Sequence, residues 1–260
     1  MEKKILYLLT CVGLCWSSCT NEVDEFIGNV EPSTRSVSTA LNANLASLFT
    51  GGAPTLTSAE IKEVNDAYAK MTSINCYRNI DEAVRNKTSY AGTIFLDDTY
   101  ASAYFRKGSL AFPPYGILAS SMEHEFIHMY QRDVQGKKVD TDKEKRDTGM
   151  MEFELAFYQG IIRYIHAGYS WTFKGEDGDP SYQSLWTSGL TSLIPQYERE
   201  FQTYVASICA NGKPTSIDIN EFVKWSNIFG EYSRGYSGKG YKFGNYDYGT
   251  SCINSLLKLY

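Results

Sequence analysis

The residues best equipped for chemistry are His124, Glu125 and His128, in the stretch SSMEHEFIHMYQRDVQ. The chain has 3 histidines in all, and two of them flank this glutamate. On a helix, positions i and i+4 stand one above the other on the same face. Both imidazoles can therefore offer a nitrogen to a single metal ion. Glu125 lies about 100° further round the helix, within reach of a water on the open side of such an ion. A zinc ion held this way lowers the pKa of a water and polarises a carbonyl. The neighbouring carboxylate takes the water's proton and passes it to a leaving amine.

A catalytic zinc takes three protein ligands and keeps one position open, so a third ligand must come from elsewhere. Downstream, MEFELA offers Glu152 and Glu154, about 200° apart on a helix, and only one can face the ion. Glu152 is the preferred ligand and Glu154 the alternate. Phe153 and Phe157 read as core-facing, and Ala156, one turn beyond Glu152, is small enough for two helices to close around a metal. His166 lies about 21 Å further along the same helix and cannot share an ion with Glu152.

HEFIHMYQ followed by EFELA resembles the gluzincin branch of the zincin metallopeptidases, over roughly Gly116 to Gly168. The resemblance implies a zinc cofactor held by His124, His128 and Glu152, Glu125 as general base, and a peptide or protein substrate. The metzincin pattern would need a third histidine where this chain has Val134. Many gluzincins also place an aspartate four residues after the third ligand to orient the first histidine. This chain has Ala156 there, so support for His124 must come from another residue.

These side chains need two helices. The first is read over Gly116 to Val134, with Leu118, Met122, Phe126, Met129 and Tyr130 as apolar positions and Ser120 with Glu123 as a capping box if it begins late. The second starts at Thr148, with Phe153, Phe157, Ile161, Tyr164 and Ile165 on one side and Gly168 as C-cap. Ahead of them, Thr57 to Glu60 opens a helix with Ile61, Val64, Tyr68 and Met71 inward. The stretch from Ala91 to Phe112 reads as short strands turned at Lys107-Gly108, whose edge would take an extended peptide by strand addition. Further helices are expected from Asp179-Pro180, from Pro195 to about Ala210, and from an Asp218/Glu221 capping box to Gly230. A Gly/Tyr-rich loop region follows. The fold class expected is α+β and zincin-like, a small mixed sheet followed by a mainly helical half.

The N-terminus reads as an export signal: MEKK, then an apolar stretch too short to span a bilayer, then Ser17-Ser18-Cys19. The last three residues resemble the lipobox of bacterial lipoproteins, with Trp16 in place of the usual aliphatic residue. Residues 1–18 are thus read as a lipoprotein signal peptide, 19–54 as a tether with one short helical piece near LNANLASLF, and 55–260 as the zincin-like domain. Cys19 is the lipidation site, which implies a chain anchored in the bacterial outer membrane by lipid alone, facing the periplasm or the outside.

The net charge of −5, with no basic cluster, argues against nucleic acid. Cys76, Cys209 and Cys252 leave either one disulfide and a thiol or three thiols. GEDGDP at 175–180 reads as a turn before a helix, with calcium the lesser alternative. The Tyr/Gly-rich loops near the C-terminus could supply a tyrosine to a developing oxyanion. They also carry the alternative function, an inactive zincin-fold surface lipoprotein that captures glycan or protein.

Overall fold

A computed structural model of the chain describes residues 40–100, 102–137, 145–166, 195–209, 213–232 and 251–260. The architecture is mixed α+β: three short strands and a mostly helical remainder. The export signal, the lipidation site Cys19, GEDGDP, the helix expected from Asp179-Pro180, Gly168 and most of the Gly/Tyr-rich stretch lie outside the described residues. Among the described residues no helix is long and apolar enough to cross a membrane.

The short helical piece expected in the tether is α1 (Ala43–Leu48). Leu45, Leu48 and Phe49 are fully buried, and Thr50 N–H bonds the Tyr90 carbonyl at 2.8 Å, so packed chain begins well before residue 55. Helix α2 (Ser58–Ser73) starts where the sequence placed it, with a complete capping box between Thr57 and Glu60. Helix α3 (Asn75–Lys87) follows after the single extended residue Ile74. No glycine or proline marks that break, and the sequence reading passed over α3. Tyr68 of α2 donates to Asp81 of α3 at 2.8 Å, joining the two helices, and Arg85 of α3 donates to the same oxygen at 2.9 Å.

The sheet joins β1 (Ile94–Leu96), β2 (Tyr104–Arg106) and β3 (Ser109–Phe112) in the order β1-β3-β2. β1 runs parallel to β3 and β2 antiparallel, so the sheet is mixed as expected. Lys107 and Gly108 both have positive φ, 50° and 79°, the backbone of a two-residue hairpin turn whose twist matches its strands. Gly92 is needed for a different reason: a Cβ there would lie 2.2 Å from the Gly108 carbonyl oxygen.

Helix α4 (Ala119–Met129) carries the HEFIH motif and runs into a π-helical turn, Tyr130–Val134, in which Gln135 N–H reaches the Tyr130 carbonyl at 3.0 Å. The expected Ser120/Glu123 capping box does not form. The Pro113-Pro114 turn closes onto Gly116 N–H, so α4 starts at Ala119 with Leu118 as N-cap and no side-chain cap. Leu118 is consequently 39% exposed rather than a core position.

Helix α5 (Lys145–His166) begins three residues ahead of the expected Thr148 and is the central strut. Its residues from Met150 to Ile162 are buried nearly all round, apart from Glu152. It packs against α4, α6 (Pro195–Ile208), α7 (Ile219–Tyr232) and the C-terminal α8 (Ser251–Leu257), which the sequence reading did not anticipate. Phe153 and Phe157 meet Phe222, Phe229 and Phe201 at ring distances of 5.2–5.6 Å, and Trp225 packs on Phe201 at 5.1 Å. At the start of α7, Asp218 accepts from Asn220 N–H. Glu221 accepts from Trp225 Nε1 at 3.0 Å, and the helix runs past Gly230 to Tyr232. Cys76 and Cys209 are buried free thiols.

Candidate metal centre

Met122, Phe126, Ile127 and Met129 point α4 into the core, which leaves His124 and His128 on the face turned towards α5. Their rings lie edge to face at 4.7 Å. Glu152 projects from α5 into the same space. Its Oε1 is 3.2 Å from His128 Nε2 and its Oε2 is 3.7 Å from His124 Nε2, and the two Nε2 atoms are 3.1 Å apart. A tetrahedral zinc with ligands at about 2.0–2.1 Å spaces them about 3.3–3.4 Å apart. The donor set and its spacing therefore fit one ion, and these three residues form a group that could hold a metal. All three side chains keep partial access to solvent, as a centre with an open position requires.

Glu125 is only 4% exposed, and its Oε1 lies 4.0 Å from His124 Nε2. The backbone N–H of Phe105 lies on the side of this carboxylate and favours its charged form. Burial, reinforced by the negative charge of Glu152, pushes the Glu125 carboxyl up to about 8, against the smaller opposing effects of His128 and the Phe105 N–H. Burial alone would lower His128. The charge and hydrogen bond of Glu152, with help from Glu125 and Gln131, outweigh it and raise the imidazole to about 9. The metal-free centre thus holds extra protons, which a dication would displace.

Glu154, the alternate ligand, faces the opposite way. It is fully buried and accepts from Gln131 Nε2 at 3.1 Å and from Ile253 N–H at 3.1 Å. The two carboxylates of the EFE segment are separated by the helical period, as their spacing requires. Position 156 is a buried alanine. The outer hydrogen bond the structure shows is to the second histidine and not to His124: Gln131 Oε1 is 2.9 Å from His128 Nδ1. Gln131 and the Phe105 N–H are the contributors that sequence reasoning missed. Gln131 stands three residues after His128, a spacing that puts the two on neighbouring faces of a helix, and that was the available signal. The Phe105 N–H had none, since it depends on how β2 lies against α4. His166 ends the same helix as Glu152, consistent with its exclusion as a ligand.

No known protein family, curated protein or solved structure matches this chain.

Proposed function

We propose that the chain is a zinc-dependent metallopeptidase of zincin type that cleaves peptide bonds at the bacterial cell envelope, carried there by a lipid on Cys19. The convergence of His124, His128 and Glu152, with Glu125 buried beside them, is the observation that carries this reading. Zinc bound there would supply Lewis acidity to a scissile carbonyl and lower the pKa of a water. Glu125 takes the proton from the attacking water at its carboxylate and delivers it to the leaving amine. β2 is an edge strand packed beside α4, which suits an extended peptide laid along it.

Metal analysis of the purified mature protein, combined with wild type against Glu125→Gln on a mixed peptide library, tests the proposal. One zinc per chain and Glu125-dependent cleavage are expected. A protein that takes up no zinc on reconstitution sinks it.

A second reading, a surface lipoprotein that binds glycan or protein without turnover, draws on one exposed feature. The sheet face turned away from Phe105 carries Phe95, Tyr104, Arg106, Lys107 and Ser109 around a shallow recess of about 300 Å³. Half-exposed Tyr100 leans on Tyr104 at 4.9 Å. Broad aromatic surfaces of this kind suit adhesive contacts. Zinc uptake without cleavage, together with retention on a glycan array that Tyr100→Ala abolishes, would favour this reading over the enzyme.

A further inference from the structure

Granted the metal-site reading above, we propose that Gln131 is the positioning residue of the centre: it sets which nitrogen of His128 meets the metal, and Glu154 in turn sets Gln131. Gln131 is fully buried on the π-helical turn. Its Nε2 donates to the Met151 carbonyl at 2.9 Å and to Glu154 Oε2 at 3.1 Å, so both amide hydrogens have acceptors. Rotating the amide by half a turn would set Oε1 against a carbonyl and a carboxylate, oxygen facing oxygen with no hydrogen between. The orientation is therefore fixed by chemistry, and Oε1 faces His128 Nδ1 at 2.9 Å.

An amide oxygen only accepts. His128 Nδ1 must then carry its hydrogen, which leaves Nε2 as the nitrogen for a metal, and Nε2 is the atom that faces His124 and Glu152. Glu154 cannot turn away, because its second oxygen is held by Ile253 N–H at 3.1 Å. A chain of hydrogen bonds thus runs from α8 through α5 and the π turn to the second histidine. The carboxylate that looked like a rival ligand serves as the anchor of this chain.

The test uses the purified mature chain with zinc alone as probe. Gln131→Met keeps the length of the side chain and removes every hydrogen bond. It should weaken zinc binding about 10- to 100-fold, the usual size of such outer contacts. In ¹⁵N-histidine spectra of the zinc-loaded protein, the His128 Nδ1 hydrogen should exchange slowly in wild type and lose that protection in the variant. Gln131→Glu alone sets two carboxylates against each other and should also weaken binding. Combining it with Glu154→Gln restores a donor–acceptor bond between the two side chains, while the Met151 carbonyl still meets an oxygen, and should recover part of the loss.

Zinc affinity within twofold of wild type in Gln131→Met overturns the proposal, as does ligation through His128 Nδ1. Should Gln131→Met fail to fold, the single and double exchanges decide, and no recovery in the double variant overturns it. A wild type that binds no zinc refutes the metal centre itself, whereas a zinc-binding wild type with an unaffected Gln131→Met refutes only the role of Gln131.

Discussion

Oε1 of Glu152 stands 3.2 Å from Nε2 of His128, joining α4 to α5 through polar side chains. Around that contact lie the other groups of the candidate centre. A second imidazole sits at 3.1 Å, and a buried carboxylate lies alongside.

The two glutamates of the EFE segment should separate cleanly. Glu152→Ala is expected to lose stoichiometric zinc with little change in folding. Glu154→Ala should keep a zinc, bound more weakly, and lose about 1–3 kcal/mol of stability, because Ile253 N–H and one Gln131 hydrogen are left buried without their acceptor. Metal content after dialysis and urea unfolding read the two effects. Equal zinc retention in both variants would contradict the assignment.

Glu125→Gln preserves the shape of the side chain and removes the base. Peptide cleavage should fall by about 100-fold or more, the usual size of a general-base contribution, while zinc content stays at one per chain. A variant that still cleaves at the wild-type rate would move the base to another residue.

Proton release should report the raised groups. In the metal-free protein, His128 is pushed up to about 9 and Glu125 to about 8. Both hold protons in the folded state that the unfolded chain gives up. Their contribution to stability is thus full below the ordinary values of 6.5 and 4.5 respectively, and is lost as pH rises through about 9 and about 8. Metal-free protein should therefore melt lower at pH 9 than at pH 6. Zinc binding at pH 7 should release about one to two protons, read by calorimetry in two buffers of different ionisation enthalpy. Release of none would refute the charge pattern.

Gly92→Ala tests the sheet that presents Phe105 to Glu125. Its added methyl would meet the Gly108 carbonyl oxygen at 2.2 Å and Ser109 Oγ at 2.3 Å. Backbone has to move, and a loss of about 1–3 kcal/mol is expected, as for other overpacked sites. Thermal unfolding measures it, and an unchanged melting temperature would show that the hairpin sits further from β1.

Much of this was legible beforehand because it depends on local periodicity. The spacing of His124 and His128, the opposition of Glu152 and Glu154, the Thr57 cap and the Lys107-Gly108 turn all follow from the geometry of a single helix or hairpin. The misses share a cause. Ser120 with Glu123 has the pattern of a capping box, yet the turn at Pro113-Pro114 decides where α4 begins. Leu45, Leu48 and Phe49 look like part of a polar linker until Tyr90 and the sheet are beside them. Helix α3 follows α2 after a single residue, with no residue type to announce the break.

The sequence by itself determined the candidate ligand types and their angular order, since helix period alone places His124, His128 and Glu125 and allows only one carboxylate of EFE to face them. The core-facing reading of Phe153 and Phe157 favoured Glu152, but only the tertiary structure brought that carboxylate to the histidines and decided what Glu154 does. That choice depends on how α5 is rotated against α4, and the rotation is set by aromatic packing of Phe153 and Phe157 on α6 and α7 and by the bond from Ile253 to Glu154. No local pattern encodes contacts between residues so far apart along the chain.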